Sequence, residues 1–372
     1  MYFREGRNPY YLTFGFIPDT EYHSSKLSGY TKFQPGRPIH QKVRGETIEI
    51  AINGGGFRGL RDFERPKPAG RFRIAALGES STFGYLNRND ETYPVQLENR
   101  LRAATGLDVE VMNLGIPHFR IQNILAAARA ELPALDPDLI TLYAGYNNSM
   151  VVEDREQASG AYRIKDWLYF HSVFYRSFHP FVRRAYVELT RMIGRDIGGL
   201  PNLSMPVMLR ASVVEEQRAK TRTEFRENVL QLSDLADQLG CPLVLVTQGY
   251  TLYHLPESPL RDRWRSYREE VAEVSAQYHS KGEVLAPHSS ILLHADLMDE
   301  LRRISAERNL VLVEGIEALD ADRSGSMSSF VHLTPQGNGR LAAAIEAATL
   351  DAIIRTSGIT REGIPPHAAT PQ

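Results

Sequence analysis

The sequence predicts an α/β fold, a three-layer sandwich with a central parallel sheet, plus a small N-terminal β-containing layer. Three observations predict it. From about residue 70 onward, short strand-like segments alternate with helical patterns. Strands separated by helices imply right-handed crossovers and therefore a parallel sheet. Residues 1–70 lack this alternation and are rich in Gly, Pro, Tyr and Arg. With 372 residues the chain exceeds the commonest domain size, so one sizeable core with additions is expected.

In the N-terminal layer the clearest element is Glu46 to Ile52, where Ile48, Ile50 and Ile52 alternate with polar or small neighbours as in a half-buried strand. Pro66 and Pro68 punctuate the chain before Phe72 to Leu77, an apolar run that stops at Gly78 as a buried strand would. Asp108 to Met112, Leu139 to Tyr143, Pro242 to Thr247 and Asn309 to Val313 read as further strands. Tyr93 to Ala104, Ile121 to Leu132, Phe225 to Leu239 and Arg340 to Ile354 read as helices. Thr92 and Pro94 suit the cap and first turn of the first helix. The expected organisation is an extension over 1–70, a main domain over 71–354 and a disordered tail over 355–372. Two insertions, at 151–224 and 250–300, are placed where α/β enzymes build lids and substrate walls. The first carries the aromatic run Trp167 to Tyr175, which suits an acyl pocket, a dimer face or simple core packing. The second holds a helical, charge-rich stretch around Trp264 to Ala276.

Composition narrows the function classes. Lys plus Arg total 43 against 45 Asp plus Glu, a formal net charge of -2, so no global field recruits nucleic acid or an anionic membrane. A small-molecule or acylated substrate fits better. Cys241 is the single cysteine, which excludes an internal disulfide and a Cys-based zinc cluster. No stretch approaches about 18 uncharged apolar residues, so no stable membrane insertion is expected and a cytoplasmic location is. Homo-oligomerisation stays open.

The chemistry-bearing residues gather where the strands end. Gly78-Glu79-Ser80-Ser81-Thr82-Phe83-Gly84 is a small-residue turn after the first strand of the sheet, and ligands of open α/β sheets bind at that edge. Ser80 can expose its hydroxyl near a helix N-terminus, where backbone N–H groups stabilise a developing oxyanion, or it can simply cap the helix. Asn113-Leu114-Gly115 follows the second strand and Gly145-Tyr146-Asn147-Asn148 the third. The glycine N–H and the asparagine amide suit an oxyanion hole, while the plainer reading makes each a turn residue with φ > 0. His332-Leu333-Thr334-Pro335-Gln336-Gly337-Asn338 precedes the last helix and can bring an imidazole to the same edge.

The ordered set Gly-Glu-Ser-Ser-Thr, Asn-Leu-Gly, Gly-Tyr-Asn-Asn and His-Leu-Thr-Pro-Gln-Gly-Asn resembles the four blocks of the SGNH (GDSL-like) hydrolase family over roughly residues 70–354. The resemblance implies a flavodoxin-like sandwich and a serine esterase or acyltransferase. It also implies Ser80 as nucleophile and oxyanion donor through its N–H, Gly115 and Asn147 as the other donors, and His332 as base. Three positions depart from the family pattern. Glu79 stands where Asp usually precedes the serine, Asn148 where Asp often follows the asparagine, and Ser329 where the family usually has the triad Asp. Loss of that carboxylate costs on the order of 10⁴ in rate in serine proteases. Some members resemble this chain in using a Ser-His pair oriented by a backbone carbonyl. Asp320, Asp322 and Glu79 stay open as substitute acids, and Ser329 itself as an orienting residue.

Two other signals lead elsewhere and are set aside. Gly54-Gly55-Gly56-Phe57-Arg58-Gly59 matches a dinucleotide fingerprint, but Pro66 and Pro68 follow where a helix is required, so a plain loop is expected. The eleven histidines contain no H-E-x-x-H and are scattered, so neither a metal nor a cofactor is expected. Three functions remain: ester hydrolysis through acyl-Ser80, acyl transfer from the same Ser-His site, and non-catalytic binding on the same fold.

Overall fold

A computed structural model describes residues 23–25, 30–43, 46–149, 208–252 and 265–357. The aromatic run at 167–175, most of the first expected insertion and the tail beyond Ser357 lie outside the described residues. The N-terminal layer contains β1 (His23–Ser25), β2 (Tyr30–Lys32), β3 (Ile39–Val43) and β4 (Glu46–Ile50), which form two antiparallel pairs. In β4 the alternation is kept as the sequence predicts, Ile48 and Ile50 facing inward.

The main sheet starts with β5 (Arg71–Gly78), which feeds α1 (Ser80–Phe83). Then come α2 (Tyr93–Thr105), β6 (Asp108–Asn113), α3 (Ile121–Leu135), β7 (Leu139–Tyr143) and α4 (Tyr146–Ser149). The last part of the first expected insertion holds β8 (Met208–Arg210) and the start of α5 (Ala211–Gln238), and β9 (Leu243–Val246) and α6 (Tyr267–Lys281) follow. The chain continues with β10 (Glu283–Leu285), α7 (Ala286–Arg308), β11 (Val311–Val313), α8 (Gly315–Asp320), α9 (Arg323–Ser326) and α10 (Pro335–Ser357). The five parallel strands lie in the order β11-β9-β7-β5-β6, the doubly wound arrangement in which the chain reverses direction at β5.

Alternate residues of the strands feed two apolar layers, which is what makes the sandwich three-layered. Ile74 and Ala76 of β5 pack with Leu97 and Leu101 of α2 and with Leu341 and Ile345 of α10. Ala75 and Leu77 face the other way, with Ile124 of α3, Phe225 and Val229 of α5, and Leu297 and Leu301 of α7. The N-terminal layer joins this second layer through Phe33, Ile50 and Phe57, and Phe33 lies 5.2 Å from the ring of Phe83.

Three elements differ from the sequence expectation. α3 continues three residues past Leu132 because Pro133 sits in the last turn, and the helix ends at Asp136 in the left-handed region. α5 begins fourteen residues before Phe225, since its first half is mostly solvated and buries Val214. α7 starts inside the second expected insertion and is the crossover between β9 and β11, packed on α5. Among the described residues no helix is long and apolar enough to cross a membrane.

Candidate active site

The parallel register aligns the ends of β5, β6 and β7, so the turns that follow them share one edge: Gly78 lies beside Tyr143, and Ala76 beside Asn113. Gly78 is required at the first turn. A Cβ there would lie 2.4 Å from Tyr143 O and 2.0 Å from Thr82 Oγ1. Glu79 is extended, with φ -104 and ψ -151, and α1 starts at Ser80. Ser80 is half-buried, while Ser81 turns inward and donates to Val331 O at 2.9 Å.

The loop holding the histidine closes over this turn. Met327 bridges Leu333, Ser328 N donates to His332 O at 2.8 Å, and Asn87 Nδ2 donates to Leu333 O at 3.0 Å. His332 Nε2 then lies 3.0 Å from Ser80 Oγ. On the other side of the ring, Nδ1 is 2.7 Å from Ser329 Oγ, which also accepts the His332 backbone N–H at 3.2 Å. The Tyr85 ring stands 4.5 Å from the imidazole and Phe330 6.4 Å, with Tyr146 stacked on Phe330 at 5.4 Å. Desolvation, with His118 nearby adding to it, pushes His332 down to about 3, so the ring is neutral at pH 7.

The structure places the substitute acids elsewhere. Asp320 accepts Tyr267 N at 2.8 Å and pairs with Arg323. Asp322 accepts Gly325 N at 3.1 Å and pairs with Arg340 at 3.2 Å. Glu79 is fully buried and accepts Gly145 N at 2.9 Å and Asn147 N at 3.1 Å. The residue at His332 Nδ1 is Ser329.

Neither Gly115 nor Asn147 has the positive φ that the plainer reading expects. Gly115 is needed for close approach instead: a Cβ would sit 2.3 Å from Phe83 N, against the helix that carries Ser80. Its N–H donates to Asn113 Oδ1 at 3.1 Å. Asn147 Nδ2 donates to Phe119 O at 2.8 Å and keeps a second hydrogen. Asn148, in the place of a family aspartate, accepts Ile121 N at 2.9 Å and caps α3.

Sequence reasoning gave no part to Asn338, which is buried and whose Oδ1 accepts Tyr93 N at 3.0 Å, fixing α10 to the start of α2. Its position six residues after His332, in the last block, was the available signal. Among the described residues no cluster of three or more His, Cys, Asp or Glu side chains could hold a metal ion. Cys241 is buried, which pushes its thiol up to about 12.

No curated protein matches the chain. Among solved structures it is similar to a lipase/acylhydrolase from Enterococcus faecalis, at 15% identity and TM-score 0.42 over 80% of this chain and 100% of that one. It is also similar to an acetylxylan esterase from Geobacillus stearothermophilus, at 14% identity and TM-score 0.39 over 78% and 95%. The profile of the GDSL-like Lipase/Acylhydrolase family matches residues 76–340, the span from the end of β5 to the start of α10 that carries every block of the site, and the chain belongs to that family.

Proposed function

We propose that the protein is a serine-dependent acyl-ester hydrolase working through an acyl-Ser80 intermediate. The observation that carries this reading is the 3.0 Å approach of Ser80 Oγ to His332 Nε2. In the tautomer whose Nδ1–H donates to Ser329 Oγ, Nε2 holds the free lone pair and takes the Ser80 proton as Oγ attacks the acyl carbonyl. The carbonyl electron pair moves onto oxygen, for which this reading assigns the N–H groups of Ser80 and Gly115 and the second amide hydrogen of Asn147 as donors. The Gly115 N–H must be shared with or released by Asn113 Oδ1 at that moment. Collapse expels the alcohol, which receives its proton from His332, and water repeats the sequence on the acyl-enzyme. The half-buried rings of Tyr85 and Phe330 flank the imidazole and give an ester an aromatic surface to lie on.

Labelling with a fluorophosphonate probe, followed by peptide mass spectrometry, tests the reading. The expected result is an adduct on Ser80, with Ser80→Ala losing both the label and activity on a short activated ester while keeping its fold. A label on Ser81 would move the nucleophile by one residue. A wild-type protein that is never labelled would sink the proposal in favour of a binding role. Product analysis with an added alcohol or amine acceptor separates hydrolysis from transfer.

A further inference from the structure

The glycine-rich loop set aside in the sequence reaches the nucleophile turn. Its Arg58 is only 3% exposed and bridges, through its backbone, both Ile52 of its own layer and Asn113 at the end of β6. The guanidinium projects into the segment that follows α1. Nη1 donates to Phe83 O at 2.9 Å and to Gly84 O at 2.8 Å, and Nη2 donates to Asn87 O at 2.8 Å. The first two are terminal carbonyls of the four-residue helix that begins with Ser80, groups a helix end leaves without intrahelical partners. The guanidinium carbon also lies 5.1 Å from the centre of the Phe83 ring.

None of these partners is a carboxylate. A buried cation held only by neutral oxygens is costly, and burial pulls this guanidinium down to about 9, against the more distant charges of Glu91 and Asp90. Such a group persists where its donor fork fixes a backbone that would otherwise relax. The segment it holds is of that kind. Leu86 has φ +67, a conformation that disfavours side chains, and its N–H donates to Gln41 Oε1 of the same N-terminal layer at 3.3 Å. Asn89 is tied to β4 and the residue after it by Asn89 Nδ2 to Glu49 O at 3.2 Å and Ala51 N to Asn89 Oδ1 at 3.2 Å. Tyr85, whose ring faces His332, lies between the anchored Gly84 and Leu86.

We propose that Arg58 is a positioning residue for catalysis: the N-terminal layer is a clamp that sets Ser80 and Tyr85 against His332 by holding the carbonyls of Phe83, Gly84 and Asn87. The inference rests on the reading of Ser80 as nucleophile. A short helix has little stiffness of its own, so its direction, and with it the Ser80 Oγ position, follows what grips its far end.

The test uses the full chain, with Arg58→Ala, Arg58→Lys and Arg61→Ala. Arg61 comes from the same loop and pairs with Glu98 of α2 at 2.6 Å, so its loss removes an interlayer contact without touching the nucleophile turn. Fluorophosphonate labelling rates and steady-state hydrolysis are measured on protein shown to be folded by circular dichroism. Arg58→Ala should lower the labelling rate and kcat by roughly 10- to 100-fold with KM little changed, the effect of a displaced nucleophile rather than a lost binding contact. Arg58→Lys, which keeps the charge but cannot span three carbonyls, should recover only part of this. Arg61→Ala should react like the wild type. If Arg58→Ala does not fold, the same comparison is made with Arg58→Lys alone. Unchanged labelling and kcat in a folded Arg58 variant overturn the clamp, as does an equal fall in Arg61→Ala. A wild-type protein that is never labelled overturns the nucleophile assignment itself, and the clamp with it.

Discussion

Ser329 Oγ sits 2.7 Å from His332 Nδ1, where a serine triad has a carboxylate. A hydroxyl can accept the Nδ1–H or donate to a bare Nδ1, so it holds the ring plane without dictating the tautomer, and it brings no negative charge to the imidazolium that the proposed mechanism forms during attack. A hydrogen bond with one ionised partner is roughly twice as strong as one between neutral groups. On the proposed mechanism, Ser329 would supply the orienting hydrogen bond of a triad acid without its charge.

The first consequence concerns pH. Desolvation holds His332 at about 3, below the ordinary histidine value of about 6.5, and among the described residues no carboxylate opposes it. The proposed mechanism requires the neutral ring, so on it activity rises as pH increases through the His332 pKa. The acidic limb of kcat/KM should therefore lie at least about one pH unit below 6.5. The profile is measured with a stable ester, and circular dichroism at each pH separates titration from unfolding. A limb at about 6.5 would mean that the His332 ring is solvated like a free imidazole, and one above that value that it has a negatively charged partner in solution.

Changing the acceptor should move that limb in a known direction. Ser329→Asp places a negative charge beside Nδ1, which raises the imidazole pKa, shifts the acidic limb upward and raises kcat on the high-pH plateau. Ser329→Ala removes the acceptor and should lower kcat by roughly 10-fold, within the range of positioned acid–base contributions. Were Ser329→Asp to shift the limb without raising plateau kcat, charge at this position would not limit the reaction.

If Asn147 is an oxyanion donor as proposed, Asn147→Ala should lower kcat by roughly 10² to 10³ with little change in KM, the cost typical of deleting one such donor. Steady-state kinetics on the same ester decide it. A change confined to KM would make Asn147 a ground-state binding residue.

Much of this was legible in the sequence, for identifiable reasons. The parallel sheet was readable because short strand-like runs alternate with helical patterns, and Ser80 and His332 were readable as neighbours because their blocks occupy turns that this topology brings to one edge. Ser329 was readable as a departure and as one of four candidates to orient His332, but the sequence could not choose it over Glu79, Asp320 and Asp322, since a serine carries no charge pattern to single it out. Arg58 was hidden for a different reason: its contacts lie 25 to 29 residues away on the far side of two prolines, and its glycine-rich surroundings suggest a phosphate loop before they suggest a clamp. The first half of α5 shows the limit of periodicity, because a solvated stretch such as Glu215 to Glu224 has no apolar stripe to read.

Glu79 gives the last prediction, one of stability. Burial pushes its carboxyl up to about 7, against the lowering effect of the Gly145 and Asn147 N–H groups, the Gln248 side chain and the charge of Arg120. Its folded pKa is thus above its unfolded value of about 4.3, so between these two pH values the folded state holds more protons than the unfolded one. The Glu79 contribution is fully present below about pH 4.3 and is lost as pH rises towards 7. Glu79→Gln cannot ionise and lacks this term. Relative to the wild type, the variant should gain stability as pH rises from about 5 to about 7, by up to about 3 kcal/mol, and the difference should level off above that. His332 and His294, both pushed down to about 3, make stability rise with pH over the same range, but they are common to both proteins and cancel in the difference. Urea unfolding of the pair at several pH values provides the measurement. A difference that stays flat with pH would mean that the N–H donors keep Glu79 ionised throughout, and that it anchors the Asn147 turn as a permanent anion.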